Sequence, residues 1–404
     1  MADRRVMMIQ QGARRNFIYA RQLEAANLLH SLVTDAAWPQ GGTALCRRLA
    51  ERFVPRLRGS IERRTVQGLP DARLRASLLP NFASASKLFM HEERAFALID
   101  EALAWPNRLR GLGGADIVLN YHGNGGSFLS YAKRLGASIV TDFVVTPKYL
   151  EIERRERLLW PGWENEKSSR SVIEFYRKRM SRLVALSDLY LCPSQAVARD
   201  LSDLPGFDAA RVRILPYGAS DVLLREARPE PGRVLFAGAA GLRKGIPYLA
   251  EAARILKHRR MHVEIAVAGS VSPMVRARPE VCDLTFLGVL DRERMADEFA
   301  RADVFCLPSL AEGSAASIYE ALANGVPVIT TEASGSVVRD GVEGFIVPER
   351  DGEAIADSIW WILVNRPLRA SMSAAALAAA SRYSDEACGR EFIGVIETLS
   401  RTRR

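Results

Sequence analysis

The feature that most constrains this chain is an alternation of short apolar segments with longer amphipathic segments, which runs twice along the sequence. The apolar segments have the length of buried strands, and the amphipathic ones have the length of helices. Such alternation predicts parallel sheets covered by helices on both faces. The two runs are separated at residues 217–232, which contain Gly218, Pro229, Pro231 and Gly232. Because a single core stops growing at roughly 250–300 residues, a chain of 404 residues is expected to form two domains.

The first run, residues 1–216, predicts a Rossmann-like domain with seven strands. These strands are expected at residues 6–10, 31–34, 76–79, 116–121, 138–144, 189–192 and 212–215. Helices are expected at residues 16–29, 43–56, 92–104, 128–135, 170–186 and 195–202. The charged and poorly periodic residues 145–170 predict an excursion over the domain surface.

The second run, residues 233–383, predicts a second domain of the same kind. Its strands are expected at residues 234–236, 263–268, 284–286, 304–307, 326–330 and 345–347. Its helices are expected at residues 245–257, 292–300, 315–323, 353–364 and 368–382. A last helix, within residues 384–404, is expected to pack back on the first domain. The predicted fold class is therefore α/β, with two doubly wound Rossmann-like domains facing a cleft.

The composition excludes several other classes of protein. Apolar residues make up 48% and charged residues 25% of the chain, as in ordinary soluble globular proteins. No apolar run approaches the ~20 residues that span a bilayer. The five cysteines form no CxxC pair, so neither a zinc site nor a disulfide framework is expected. We expect a cytoplasmic protein with no metal and no cofactor.

The excess of basic over acidic residues lies entirely in the first part of the chain. Residues 1–228 contain 35 Lys and Arg against 24 Asp and Glu, whereas the whole chain has a net charge of +9. This imbalance predicts an anionic partner, for which an acidic membrane surface is one candidate. The candidate contact residues lie on the predicted helix 43–56 and just after it. They are Arg47, Arg48, Arg52, Arg56, Arg58, Arg63 and Arg64.

A small-residue loop follows the first strand of the second domain and ends in two cations. Gly238 begins this loop, and Arg243 and Lys244 come directly before the predicted helix 245–257. Small residues let a ligand approach the backbone, and a helix N-terminus attracts anions. The loop therefore predicts a diphosphate site.

Two glutamates eight positions apart follow the predicted strand 304–307. Glu312 lies in a loop, and Glu320 lies about two turns into a helix that begins near Ser314. Eight helical residues rise roughly 12 Å, so the two carboxylates are expected at opposite ends of one elongated ligand. Glu320 falls in the otherwise apolar run 318–323, where a charged side chain needs a partner.

Taken in order, the motifs of the second half resemble the GT-B retaining glycosyltransferases of the group 1 (GT4) family. The motifs are Phe236-x-Gly238, Lys244-Gly245, Phe286-Leu287-Gly288, Ala302-Asp303-Val304, Pro308-Ser309, Glu312-x7-Glu320-Ala321, Gly325-Val326-Pro327-Val328, Asp340-Gly341-Val342-Glu343-Gly344 and Val347-Pro348. The resemblance is strong over residues 180–400 and weak before them.

The resemblance implies that the donor is a nucleotide-diphosphate sugar and that the acceptor is a glycan or a lipid-linked molecule. Lys244 would hold the diphosphate, Glu320 the ribose hydroxyls and Glu312 the transferred sugar. Further donor contacts are implied for Gly238, Gly313, Ser314, Ala315 and Ala316, and nucleobase contacts for Gly288 and Val289. The family usually has Phe-Gly where this chain has Ser314 and Ala315.

Two other departures concern the charge near the diphosphate. Ala239 stands where the family usually has an arginine, so Arg243 or an arginine of the first domain is expected to supply that charge. The loop after the first strand, which is commonly Gly-Gly in the family, contains Gly12 followed by Arg14 and Arg15. We expect these three residues to contact the donor.

His122 follows the predicted strand 116–121, where the family often has a histidine beside the donor sugar. The resemblance implies that His122 hydrogen-bonds to the sugar. No Asp-x-Asp motif occurs in the chain, which favours a metal-independent reaction. In the family, retention is explained by front-face attack, with the departing phosphate as the base.

Other functions are also compatible with parts of the sequence. A sugar-nucleotide 2-epimerase of the same fold would release free sugar, and a related transferase would use a soluble small-molecule acceptor. A dinucleotide-dependent oxidoreductase needs GxGxxG, and the glycine spacing here does not match. No nucleic-acid partner is expected, because no basic–aromatic motif accompanies the high isoelectric point.

Overall fold

The computed structural model describes residues 5–12, 14–35, 66, 68–77, 80, 92–165, 168–219 and 222–401. The predicted helix at residues 43–56 and the seven arginines on and after it lie outside the described residues. Two parallel sheets account for the strands of the described chain, and all strand pairs within them are parallel. The α/β class with two doubly wound domains is therefore confirmed.

The first sheet has the strand order β3-β2-β1-β4-β5-β6-β7. Its strands are β1 (Val6–Gln10), β2 (Leu29–Thr34), β3 (Leu74–Ala76), β4 (Ile117–Tyr121), β5 (Ser138–Asp142), β6 (Leu189–Cys192) and β7 (Val212–Ile214). Its described helices are α1 (Ile18–Ala25), α2 (Glu92–Arg110), α3 (Gly126–Arg134), α4 (Tyr149–Leu159), α5 (Arg170–Leu186) and α6 (Gln195–Leu201). Strand β3 begins two residues before its predicted position.

The second sheet has the order β10-β9-β8-β11-β12-β13. Its strands are β8 (Arg233–Ala237), β9 (Glu264–Ala268), β10 (Leu284–Gly288), β11 (Val304–Leu307), β12 (Val328–Thr330) and β13 (Gly344–Ile346). The helices are α7 (Ile246–His258), α8 (Pro273–Arg276), α9 (Arg292–Arg301), α10 (Ala316–Ala323), α11 (Gly352–Val364), α12 (Arg366–Arg382) and α13 (Asp385–Arg401).

The central strands of both sheets are buried along their whole length. Every residue of β1, β4, β8 and β11 is buried, as expected where helices cover both faces of a parallel sheet. The strand order reverses between β1 and β4 in the first sheet and between β8 and β11 in the second. Such reversals open crevices beyond the carboxyl ends of the strands, and ligands of this type of sheet bind there.

One segment of the first half crosses to the second domain. The expected surface excursion at residues 145–170 contains helix α4, which the sequence did not predict, and this helix is followed by Trp160 and Trp163. Trp163 is fully buried in the apolar core of the second sheet, and Ile152 and Trp160 pack against that core. The helix escaped prediction because it lies between two domains and buries Leu150 and a charged residue, Glu156, so that no single apolar stripe marks it.

The last helix, α13, contacts the first domain. The ring of Phe392 stacks on Tyr19 of α1 with centroids 4.1 Å apart, and Gln22 donates to the carbonyl of Asp385 at 3.1 Å. Among the described helices, none combines the length and the apolar character needed to cross a membrane.

Candidate active site

The predicted diphosphate loop lies at the carboxyl end of β8, beside the point where the second sheet reverses. It leaves the strand at Gly238, forms a short 3-10 helix over Leu242–Lys244, and enters α7 through Gly245. Gly245 has a φ of 74°, and a Cβ there would lie 2.1 Å from the carbonyl oxygen of Pro308, so only glycine fits. The side chain of Lys244 folds back over Gly238, within 3.5–3.9 Å of a Cβ built at that glycine.

Glu312 contacts Arg243 and Lys244 beyond the carboxyl end of β11. Lys244 Nζ lies 2.8 Å from Glu312 Oε1, and Arg243 Nη1 lies 2.5 Å from the same oxygen. Arg243 also donates to the carbonyl of Ala311 at 2.6 Å. The structure therefore brings together the residue expected at the diphosphate and the residue expected at the sugar. Ala239, which stands at the usual arginine position, is exposed.

The residues after Glu312 lead into helix α10. The amide of Ala315, which was expected to contact the nucleotide sugar, donates to the carbonyl of Ser334 at 3.2 Å. Ser314 Oγ and the Tyr319 hydroxyl are 2.6 Å apart. Ala316 is exposed as the first residue of the helix, where backbone N–H groups lack partners within the helix and favour an anion.

Glu320 lies one turn along α10 from Ala316, at a separate cavity. The carboxyl group is partly buried and has no ion-pair partner among the described residues, and burial raises the pKa of Glu320 above its ordinary value. It lines a cavity of about 430 Å³ together with Leu223, Leu290 and Asp291. The two glutamates therefore lie in different environments, Glu312 among the loop cations and Glu320 at this cavity.

Nucleobase contacts were expected at Gly288, the last residue of strand β10, and at Val289, which follows it. Gly288 has a φ of 75°, which favours glycine, and Val289 is 77% exposed. An apolar side chain this exposed, next to the cavity that Glu320 lines, is available to pack against a flat ring.

The first domain contributes a second cavity, of about 420 Å³, beyond the carboxyl ends of β1, β4 and β5. His122 and Gly12 line it, as expected for residues that follow β4 and β1. His122 Nε2 lies 2.5 Å from the hydroxyl of the buried Tyr176, and the amide of Gly12 donates to Asp35 at 2.7 Å. Asp100 lies in the same wall, and burial raises the pKa of Asp100 to about 7.

The two halves of the cleft touch at the loop that carries Glu312. A Cβ on Gly313 would lie 1.9 Å from the carbonyl oxygen of Val144 and 3.1 Å from Pro193, so Gly313 packs directly on the first domain. Arg199 and Glu332 form an ion pair of 2.9 Å across the same boundary. Gly313, for which a contact with the nucleotide sugar was expected, thus also has a packing role between the domains.

The arginines after Gly12 have a different setting from the one expected. The guanidinium of Arg15 donates to the carbonyl of Tyr217, lies above the Tyr217 ring at 4.7 Å, and approaches Asp385 at 3.6 Å. Arg15 therefore connects the first domain to the linker and to α13. The side chain of Arg14 lies outside what the structure describes.

Sequence reasoning missed three residues of the crossing segment that lie against the diphosphate loop. Glu164 accepts a hydrogen bond from the amide of Leu242 at 2.8 Å. Arg157 and Glu153 lie between Glu164 and Arg243. The only sequence signal was the dense charge of residues 145–170, which also fits a solvated surface. Within the described part of the chain, no group of three or more His, Cys, Asp or Glu side chains is placed to hold a metal ion.

Two doubly wound parallel sheets, with their reversal points facing one cleft and α13 returning to the first sheet, define the GT-B fold. Residues 231–365 match the family model described as "Glycosyl transferases group 1". Residues 231–365 are therefore similar to a group 1 glycosyltransferase domain, and the two sheets have the arrangement of the GT-B fold.

The relatives and solved structures agree with this assignment. The chain is 33% identical to D-inositol 3-phosphate glycosyltransferase of Xylanimonas cellulosilytica, over 51% of this chain and 56% of that protein. It is 30% identical to phosphatidyl-myo-inositol mannosyltransferase of Mycolicibacterium smegmatis, over 57% of this chain and 60% of that protein. The matches thus span little more than half the length of these relatives. Anabaena Alr3699/HepE, solved in complex with UDP and glucose, has a TM-score of 0.60 at 16% identity, covering 98% of this chain and 100% of that one.

Proposed function

We propose that this protein is a retaining glycosyltransferase that moves a hexose-type sugar from a UDP- or GDP-sugar to an acceptor hydroxyl without a metal ion. The observation that carries the proposal is the meeting of Lys244 and Glu312 at 2.8 Å, at the crevice where the second sheet reverses. In this arrangement, the Lys244 ammonium can contact the phosphate and the Glu312 carboxylate can contact the sugar, on the two sides of the bond that is broken. The group 1 domain assignment and the UDP-bound structural neighbour support the same class of donor.

In this proposal, the nucleotide sugar extends from the cavity that Glu320 lines to the carboxyl end of β11. The Glu320 carboxylate accepts hydrogen bonds from the ribose hydroxyls, and Val289 packs on the nucleobase. The diphosphate lies between Lys244 and the N-terminus of α10, where the positive charge and the helix dipole stabilise the charge that develops as the sugar leaves. Gly238 leaves room for the phosphates beneath Lys244.

The transferred sugar lies between the two domains. Glu312 accepts hydrogen bonds from its hydroxyl groups, and His122 contacts it from the first domain. The acceptor hydroxyl attacks from the same face that the diphosphate leaves, and the departing phosphate takes the acceptor proton, so no protein nucleophile is needed. The acceptor, a glycan or a lipid-linked molecule, enters through the cavity that His122 and Gly12 line.

Nucleotide binding and turnover test the proposal together. UDP or GDP in the presence of EDTA should raise the melting temperature, and duplex DNA should not. Each UDP- or GDP-sugar is then screened for slow hydrolysis and for transfer. Stabilisation that requires added magnesium would overturn metal independence, and release of free 2-epimerised sugar would identify an epimerase instead.

A further inference from the structure

An alternating row of charged side chains connects helix α4 of the first domain with the proposed donor site. In order, the row consists of Glu164, Arg157, Glu153, Arg243, Glu312 and Lys244, and we refer to it as the charge row. The nitrogen–oxygen distances along it are 3.7 Å, 2.8 Å, 3.7 Å, 2.5 Å and 2.8 Å. Each carboxylate lies between two cations, except Glu164 at the end, which accepts from the amide of Leu242.

The charge row rests on a helix that is fixed to the second domain. Glu156 of α4 is fully buried, and its two oxygens accept from the Tyr248 hydroxyl at 2.6 Å and from Arg350 Nε at 2.7 Å. Trp163, just after the helix, is also fully buried in the second core. Because α4 is anchored at both points, Glu153 and Arg157 have a fixed position relative to Arg243.

The distances indicate what Arg157 does. Arg243 can pair with either Glu312 or Glu153, and it lies 2.5 Å from the first and 3.7 Å from the second. Arg157 Nη2 holds the other carboxylate oxygen of Glu153 at 2.8 Å. The side chain of Arg157 is only 9% exposed, so solvent screens this attraction weakly. If Arg157 is removed, Glu153 loses this partner and competes with Glu312 for Arg243.

We propose that Arg157 is a positioning residue: by holding Glu153, it keeps Arg243 on Glu312 and so fixes the carboxylate that faces the transferred sugar. The catalytic part of this inference rests on the proposed function, whereas the structural part does not. Arg157 acts through Glu153 and Arg243 and touches no reacting atom.

The test compares Arg157→Gln with Arg155→Gln, the same change two positions earlier on an exposed arginine of the same helix. A small displacement of the Glu312 carboxylate should slow the reaction even though the changed residue is remote from it. We therefore expect kcat to fall roughly tenfold in Arg157→Gln, with the KM for the nucleotide sugar changed less than about threefold. The double variant Arg157→Gln/Glu153→Gln should recover most of kcat, because the competing charge is then gone. Arg157→Lys keeps the charge and should be intermediate.

A readout without substrate separates this inference from the proposed function. The amides of Leu310 and Glu312 donate to the carbonyls of Arg243 and Ala333, and they should exchange hydrogen faster in Arg157→Gln than in Arg155→Gln. Equal exchange and equal kcat in the two variants would overturn the inference. A loss of kcat that the double variant does not recover would also overturn it, since Arg157 would then only support folding. If the wild type turns over no nucleotide sugar, the proposed function fails, and the exchange rates still decide the role of Arg157.

Discussion

Lys244 is the residue whose removal should separate catalysis from stability most clearly. Its side chain lies over Gly238 and its ammonium pairs with Glu312, at the edge of the cleft. Loss of one preorganised positive group at a developing charge lowers the rate about 10²–10³-fold, so Lys244→Ala should lower kcat by that amount with little change in melting temperature. Lys257→Ala, which removes a 70% exposed lysine of the same domain, is the control and should leave both quantities unchanged. Normal turnover in Lys244→Ala would place the diphosphate elsewhere.

We expect the charged Glu320 side chain to lower the stability of the fold and to raise the affinity for the nucleotide. Burial raises the pKa of this carboxyl above its ordinary value of 4.5, so the folded protein holds the proton to a higher pH than the unfolded chain does. Ionisation therefore lowers stability as the pH rises through that interval, and the loss is complete above the folded-state pKa. Glu320→Gln should raise the melting temperature at pH 8 but not at pH 4, and it should weaken UDP or GDP binding about tenfold, because charge-assisted hydrogen bonds are lost.

The exposed Glu353 supplies the matched control for this experiment. Glu353→Gln should leave the nucleotide affinity measured by calorimetry unchanged. Unaltered nucleotide binding in Glu320→Gln would instead make Glu320 a residue of the fold alone.

The sequence predicted individual site residues where local signals exist, and it failed where they do not. Lys244, Glu312 and His122 each follow a strand, and the carboxyl end of a parallel strand is where a doubly wound domain binds ligands. Glu153 and Arg157 lie on a helix with no such marker, and they reach the loop only through the docking of α4 on the second domain. Gly313 was expected to contact the nucleotide sugar, and that contact stays a prediction. Its packing on Val144 depends on how the two domains meet, which spacing does not encode.

At the scale of elements, the contact between the Glu312 loop and the first domain should tolerate no side chain at residue 313. The Cβ of an alanine would lie 1.9 Å from a backbone oxygen, which cannot move aside as a flexible side chain can. Gly313→Ala should therefore push the loop away from Val144 and lower the free energy of unfolding by about 1–3 kcal/mol. The melting temperature and the nucleotide-sugar turnover should both fall. Gly394→Ala on α13, where a Cβ meets nothing within 4 Å, should be neutral or slightly stabilising.

Thermal unfolding and turnover of these two alanine variants are measured side by side. A Gly313→Ala protein as stable and as active as Gly394→Ala would show that the two domains do not meet at this loop in solution.

Most elements could be predicted to within about two residues, because buried parallel strands are short apolar runs and their covering helices are amphipathic. Strand β11 and helix α5 have the predicted bounds. Helix α4 was missed for the opposite reason. Most of its residues are polar, Leu150 packs in the core of the first domain, and the buried Glu156 pairs with Tyr248 and Arg350, which lie far away in the sequence.

At the scale of the whole molecule, the excess of positive charge in the first part of the chain predicts binding to anionic membranes. Each basic residue near an anionic surface contributes about 1 kcal/mol, screened over a Debye length. The protein should therefore sediment with anionic but not neutral liposomes at low salt, and detach as salt rises. Arg48, Arg52 and Arg56 share one face if residues 43–56 are helical, and changing all three to Glu should abolish sedimentation.

The control variant changes three exposed basic residues of the second domain, Arg254, Lys257 and Arg260, to Glu. That variant should still sediment with anionic liposomes. If both triple variants sediment as the wild type does, Arg48, Arg52 and Arg56 make no membrane contact.

Because Trp163 is buried in the core of the second domain, that domain cannot be exchanged with a relative's as one continuous stretch of sequence. Chimeric enzymes are commonly designed by joining one half of a chain to the other half of a relative at the linker, here residues 217–232. A second half cut there would lack Trp163 and Glu156, which would open a cavity in its apolar core and remove the buried carboxylate that pairs with Arg350. A transplantable donor half therefore consists of two stretches of sequence, one of them residues 149–164, and recombination at the linker alone would separate the donor half from part of its own core.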